Sequence, residues 1–290
     1  MKFTKMHGCG NDYIYINGFI EKIADEEKPE LAQRLSDRHF GVGSDGLIFI
    51  NPSEIADFEM EMYNADGSRS EMCGNGIRCV GKYVYDKKLT DRTKLRVESK
   101  GQVKILELTV EDDQVTMVRV NMGAPHLIPS TLANTTSNGT SAKAVNEPIE
   151  VAGTLYHMTC VSMGNPHAVV FVDDVDHLVL DRGLGSSFEH HERFPNRTNV
   201  EFVKVINPSL VQMRVWERGT GETLACGTGC CAVAVAGVVN GLTRNSVTVK
   251  VLGGELSITW DQDEDVVYMT GPAQTVFEGE VKCLKLIKIT

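Results

Sequence analysis

Along the chain, apolar residues recur in short β-branched runs and rarely in long helical stripes. Ile14–Ile16, Leu47–Ile50, Val115–Val120, Val169–Val172, Val247–Val251 and Val266–Met269 are each bounded by Gly, Asn or Asp, and this pattern predicts many short strands. Helical stretches are fewer: residues 29–38, residues 77–85 and residues 230–239. The last is apolar on every side, which predicts a helix buried all round.

The pattern also repeats. Gly10-Asn11-Asp12 before Tyr13–Ile16 resembles Gly164-Asn165-Pro166-His167 before Ala168–Val172, the two asparagines lying 154 positions apart. Residues 38–50 can be laid on residues 193–205 at an offset of 155. Tyr63-Asn64-Ala65-Asp66-Gly67 leading to Cys73-Gly74-Asn75-Gly76 matches Trp216-Glu217-Arg218-Gly219-Thr220 leading to Cys226-Gly227-Thr228-Gly229, with the cysteines 153 apart. Three collinear pairs at nearly equal offsets predict a duplicated unit of class α+β: two pseudo-twofold related domains, each a barrel-like sheet around one central helix. A cleft between such halves would be a natural place for a site. The Ser-, Thr- and Asn-rich segment 130–146 is expected to be an exposed insertion.

Composition narrows the function classes. At 290 residues with 42% hydrophobic and 23% charged, the chain has the make-up of a folded globular protein. A net charge of −10 with no long basic run argues against nucleic acid. No apolar stretch reaches membrane-spanning length and the first residues lack a secretory apolar core, so a cytoplasmic protein is expected. In a reducing compartment, the eight cysteines are then core, metal ligands or chemistry.

Cys-Gly-x-Gly before a helix offers free backbone N–H groups to an anion such as a carboxylate. The same position is expected to lower the pKa of a thiol, which makes Cys73 and Cys226 candidate general bases. Two thiols acting on opposite faces of a carbon beside a carboxylate would invert it, one removing a proton and the other supplying one. The alternatives are weaker. Cys73 and Cys79 have five residues between them, and Cys226, Cys230 and Cys231 have no C-x-x-C partner, so no metal site is expected. Gly41-Val42-Gly43-Ser44-Asp45-Gly46 lacks a P-loop ending and reads as a tight turn. The remaining cysteines are expected to be small core residues.

These motifs, with Met6-His7-Gly8-Cys9-Gly10-Asn11-Asp12-Tyr13, Met72-Cys73-Gly74-Asn75-Gly76-Ile77-Arg78-Cys79 and Trp216–Gly229, resemble the diaminopimelate epimerase family over nearly the whole chain. The resemblance implies a cofactor-independent enzyme acting on a small diamino dicarboxylate, working as a homodimer in the cytoplasm. It implies Cys73 and Cys226 as the catalytic pair and His167 and Glu217 as groups that tune them. Asn11, Asn64, Asn165, Asn199, Glu217 and Arg218 fall on substrate-binding positions, and Gly74-Asn75 and Gly227-Thr228 on those whose backbone holds the reacting carboxylate. The implied domains are residues 1–120, completed by 275–290, and residues 121–274. Some family members carry Gln where Gly46 stands, so that substrate contact is expected to be absent or made by another group. Proline racemase and hydroxyproline epimerase share the two-thiol plan, but Asn75 and the Glu217-Arg218 pair favour a dicarboxylate. A non-enzymatic amino-acid sensor or a redox protein stays open as a further alternative.

Overall fold

A computed structural model of the chain describes residues 1–70, 73–127 and 143–282, so most of the polar segment 130–146 and the end of the chain lie outside the described residues. The chain forms two units. The first takes Met1–Val120 with the C-terminal segment from Pro272, and the second takes Asn121–Gly271.

In the first unit, β1 (Lys2–Gly8) runs antiparallel to β2 (Asn11–Asn17), and β2 runs parallel to β3 (Gly46–Asn51) after the crossover through α1 (Lys28–Ser36). Next, β4 (Phe58–Asn64) pairs antiparallel with β3 and with the short β5 (Arg69–Ser70). Beyond α2 (Gly74–Asp86), β6 (Lys94–Ser99) returns parallel to β4 and leads into the antiparallel β7 (Gln102–Glu111) and β8 (Gln114–Gly123).

The second unit opens with β9 (His126–Leu127), β10 (Glu147–Val151) and β11 (Thr154–Ser162), then repeats that ladder. Here β12 (Pro166–Phe171) is antiparallel to β11 and, after the crossover through α3 (Gly185–Glu189), parallel to β13 (Asn199–Asn207). Strand β14 (Leu210–Glu217) pairs with β13 and with the short β15 (Gly221–Thr223). After α4 (Gly227–Val239), β16 (Ser246–Val251) returns parallel to β14, followed by the antiparallel β17 (Gly254–Asp261) and β18 (Val266–Pro272). The duplication predicted from three sequence pairs is thus a duplication of strand order and pairing sense. The last described strand, β19 (Gln274–Glu280), lies antiparallel on β1 in the first unit, where Gly279 faces Phe3.

Each ladder surrounds one helix. Residues 74–84 of α2 are all buried, and so are most of those of α4, which packs against β11, β12, β13, β16 and β17. Helices of this kind are held by burial on all faces: α4 is apolar all round, whereas α2 buries Asn75, Arg78 and Lys82 along with its apolar residues. Both begin earlier than hydrophobic periodicity predicts. The glycines of Cys-Gly-x-Gly occupy the first helical turn and the cysteine itself is the N-cap, with extended backbone at Cys73 (φ −129°, ψ 112°) and Cys226 (φ −117°, ψ 111°). Glycine is a poor helix former, which hides the start from a periodicity reading. In the second unit, Phe188 sits edge-on between Tyr156 and Phe202, at centroid distances of 5.2 and 5.4 Å. Among the described residues, no helix is long and apolar enough to cross a membrane.

Candidate active site

In the first unit, Cys73 is partly buried at the mouth of α2, and its Sγ accepts the N–H of Gly76 at 3.2 Å. A Cβ on Gly76 would stand 2.8 Å from Ile48 Cδ1 and 3.5 Å from Sγ, so glycine lets the first helical turn close under the thiol. The thiol also meets Asn11 Oδ1 at 3.1 Å. Asn11, at the start of β2, is turned by its amide group, which donates to Asp45 Oδ2 at 2.7 Å. Asp45 also accepts the N–H of Asp12 and the Arg38 guanidinium, and Asp12 pairs with Arg38 and Lys5. This charged cluster dictates which end of the Asn11 amide faces sulfur. Asn75, buried in the first turn, approaches the same oxygen at 3.4 Å. Below it, Tyr15 donates to the carbonyl of Gly76, and Tyr13 is buried beside Cys73, its phenol pushed up first by burial and then by that thiol. Asn64, opposite Gly46 at the end of β4, is bonded to Ser68 within the turn from β4 to β5.

In the second unit, Cys226 caps α4 and is buried. Its Sγ lies 3.5 Å from Thr228 Oγ1, which receives Asn165 Nδ2 at 3.3 Å. Asn165 Oδ1 in turn lies 3.1 Å from His167 Nε2, and His167 Nδ1 lies 2.6 Å from Glu201 Oε1. Glu217 accepts the Thr223 hydroxyl at 2.5 Å and lies near enough to Cys226 for its charge to act on the thiol. The thiol of Cys226 is pushed well up from its ordinary value, first by burial and then by the charges of Glu217 and Glu201. The expectation of a thiol lowered by its helix N-terminus is therefore corrected at Cys226, where desolvation and two carboxylates outweigh the cap. Burial also raises the Glu217 carboxyl.

His167, Glu201 and Cys226 bring their donor atoms within 4.8 Å of one another, as metal ligands would. The 2.6 Å between Nδ1 and Oε1 identifies a hydrogen bond instead, since two ligands around 2 Å from a tetrahedral ion lie more than about 3 Å apart.

Other sequence candidates have distinct places. Asn199 is buried at the start of β13, opposite His167, and bridges the carbonyl of Pro166 and the N–H of Arg218 at 2.8 and 2.9 Å. Arg218 donates to the carbonyl of Asn196 at 3.2 Å, whereas Glu217 turns to Thr223 and Cys226, so the adjacent pair has separate partners. The backbone of Gly74-Asn75 and of Gly227-Thr228 forms the first turn of α2 and α4, as a carboxylate cradle requires. At Gly46 a Cβ would fall 2.1 Å from the carbonyl oxygen of Tyr63, so a side chain there requires β4 to move. Cys9, Cys79, Cys160, Cys230 and Cys231 are buried, with the Cys79 thiol pushed up to about 11 by burial.

Glu201 and Asp45 escaped the sequence reading. Glu201 had one signal, a lone carboxylate inside the apolar run Val200–Val203 and two residues from Asn199, hence on the same strand face. It is fully buried.

The fold is shared with a probable proline racemase from Agrobacterium radiobacter, solved with bound carbonate, at a TM-score of 0.69 over 99% of this chain and 94% of that one, with 14% identity. A likeness at that identity defines the class of scaffold. Sequence then separates the members: the diaminopimelate epimerase family pattern matches residues 3–128 and 159–276. Diaminopimelate epimerases of Acetivibrio thermocellus and Methanococcus maripaludis are 55% and 53% identical over 97% of this chain, covering 98% and 99% of their own lengths. The chain belongs to the diaminopimelate epimerase family.

Proposed function

We propose that this protein interconverts LL- and meso-diaminopimelate by proton transfer at one α-carbon, with Cys73 and Cys226 as acid and base and no cofactor taking part. The observation that carries this reading is the same device at the same point of both ladders: a cysteine at the N-cap of a buried helix whose first turn is built from glycines. Peptide N–H groups in those turns hold the reacting carboxylate and stabilise the enediolate that forms on deprotonation. The thiolate of one cysteine takes the α-proton and becomes a thiol. The thiol of the other gives its proton to the opposite face and becomes a thiolate, so the carbon inverts with no net change in charge or proton count. Burial and neighbouring carboxylates keep Cys226 a thiol at rest, which suits it to donate first while Cys73 accepts. Asn11, Asn64, Asn165 and Asn199 bind the substrate's polar groups, and Arg218 pairs with the distal carboxylate. His167 and Glu217 tune the thiols. The working form is a cytoplasmic homodimer, testable by light scattering on the purified chain.

Reduced protein incubated with LL-diaminopimelate in heavy water should yield the meso form with deuterium at the inverted carbon. Cys73→Ala and Cys226→Ala should each abolish this. Full activity in Cys226→Ala, or turnover of L-proline in place of diaminopimelate, would overturn the reading.

A further inference from the structure

From Glu201 to Cys226 runs an unbroken chain of side chains drawn from β13, β12, the bend before β12, and the N-cap and first turn of α4. The ring of His167 lies between two oxygens, Glu201 Oε1 at 2.6 Å and Asn165 Oδ1 at 3.1 Å. Whether the first proton rests on Nδ1 or on Oε1, one proton lies between those atoms. Nε2 then carries a second, because it faces the amide oxygen, which only accepts. The other end of that amide donates to Thr228 Oγ1, so the hydroxyl keeps its own hydrogen for Cys226 Sγ, 3.5 Å away. From Nε2 onward, every donor in the chain points toward the sulfur. His167 and Glu201 are fully buried, and Glu201 Oε2 has no hydrogen-bond partner among the described residues. A buried carboxyl with one oxygen left unpartnered is costly to keep, which argues for a use. Space is left for it: a Cβ on Gly229 would fall 2.6 Å from Glu201 Oε1.

We infer that Glu201 is a positioning residue that holds the His167 ring with its proton on Nε2, and thereby aims the Asn165 amide and the Thr228 hydroxyl as donors at the Cys226 sulfur. Without it a neutral ring is free to carry its proton on Nδ1. The bare Nε2 then favours the NH2 end of Asn165, the amide turns over, and its oxygen takes the Thr228 hydrogen. The hydroxyl now presents a lone pair to sulfur and opposes the thiolate that must form there. This role rests on the acid/base reading of Cys226.

The test compares Glu201→Leu, Glu201→Gln and Thr228→Val in the full chain. Gln can donate to Nδ1 and so keep the Nε2 proton; Leu cannot. In the parent and in Glu201→Gln, nitrogen NMR of the His167 ring should show a protonated Nε2, with kcat in the Gln variant within about threefold of the parent. In Glu201→Leu, kcat should fall about 10–100-fold, in the range seen when an outer orienting group is lost. Thr228→Val should fall comparably, and adding Glu201→Leu to it should cost little more, because the chain is already cut. Alkylation of Cys226 by iodoacetamide at fixed pH, followed by mass spectrometry, reads the thiol without any substrate. Both Glu201 variants remove a charge that holds this thiol up, and only Leu cuts the donor chain, so alkylation should be slower in Glu201→Leu than in Glu201→Gln. Alkylation in Glu201→Leu as fast as in Glu201→Gln, a bare Nε2 in the parent, or additive losses in the double variant would each overturn the proposal. If Glu201→Leu does not fold, the parent spectrum, Glu201→Gln and Thr228→Val still decide it. A parent inactive on diaminopimelate would remove the proposed function alone, since the ring spectrum and the alkylation rates do not depend on turnover.

Discussion

Removal of the Glu189 carboxylate is expected to loosen the second unit where its core meets the turn that carries Glu217 and Arg218. Glu189 ends α3 and is buried, and its two oxygens accept Trp216 Nε1–H at 2.8 Å and the backbone N–H of Gly219 at 2.9 Å. A hydrogen bond to a charged group is worth about 1.5–3 kcal/mol. The indole is only half-buried and the Gly219 N–H is exposed enough for water to replace its partner, so each bond counts near the low end of that range. Arg197, at 3.6 Å and largely exposed, adds little. Glu189→Ala should therefore cost about 3 kcal/mol, and Glu189→Gln, which keeps one acceptor and the shape, about 1 kcal/mol. Burial alone would raise the Glu189 carboxyl, but the indole and backbone donors outweigh it and hold the group below its ordinary value. A carboxyl lowered by folding contributes stability that is fully present above its unfolded pKa of about 4.3 and is lost as the pH falls through the lower folded value. The gap between parent and variant should thus be complete at neutral pH and close in acid. Urea unfolding followed by circular dichroism at neutral and acidic pH measures both. A loss in Glu189→Ala below about 1 kcal/mol, or a gap that stays constant into acid, would refute the reasoning.

Trp216 supplies a second test, because a Cβ on Gly185 would stand 2.3 Å from its ring: Gly185→Ala should cost at least about 2 kcal/mol and lower the thermal midpoint by roughly 4–8 °C. Glu217→Gln removes one of the charges that hold the Cys226 thiol up, so that thiol should come down and be alkylated faster at pH 8; an unchanged rate would show that burial acts alone. Arg218→Met should lower kcat/KM for diaminopimelate by about 2–5 kcal/mol in transition-state stabilisation while leaving lysine, which lacks the distal carboxylate, little affected. Equal losses for the two substrates would place Arg218 in a structural role. Cys79→Ala should retain most activity, since that side chain is wholly buried and its thiol is pushed to about 11, a result checked by the same deuterium-exchange assay.

Much of this protein is written in short-range pattern. Strand positions such as Ile14–Ile16 and Val247–Val251 follow from β-branched runs between turn residues, and the duplication follows from three landmarks spaced alike, because both are local properties copied along the chain. The two Cys-Gly-x-Gly segments were legible for the same reason: only glycine lets a helix close beneath a side chain at Gly76 and Gly229. Other features were decided by residues far apart in sequence. The starts of α2 and α4 lie inside glycine segments that disfavour helix, and burial on every side compensates. The direction in which Cys226 titrates depends first on its burial and then on Glu217 and Glu201, which β14 and β13 bring to it, and together these reverse what its helix cap alone would do. Asp45 orients Asn11 across 34 positions, and Glu201 meets His167 across another 34, through parallel pairing that no local motif encodes. Proton affinity and hydrogen-bond polarity are set by the immediate dielectric and by the nearest charges. Those neighbours exist only once the strands have paired, and so the chemical character of each thiol belongs to the tertiary structure while its identity and position belong to the sequence.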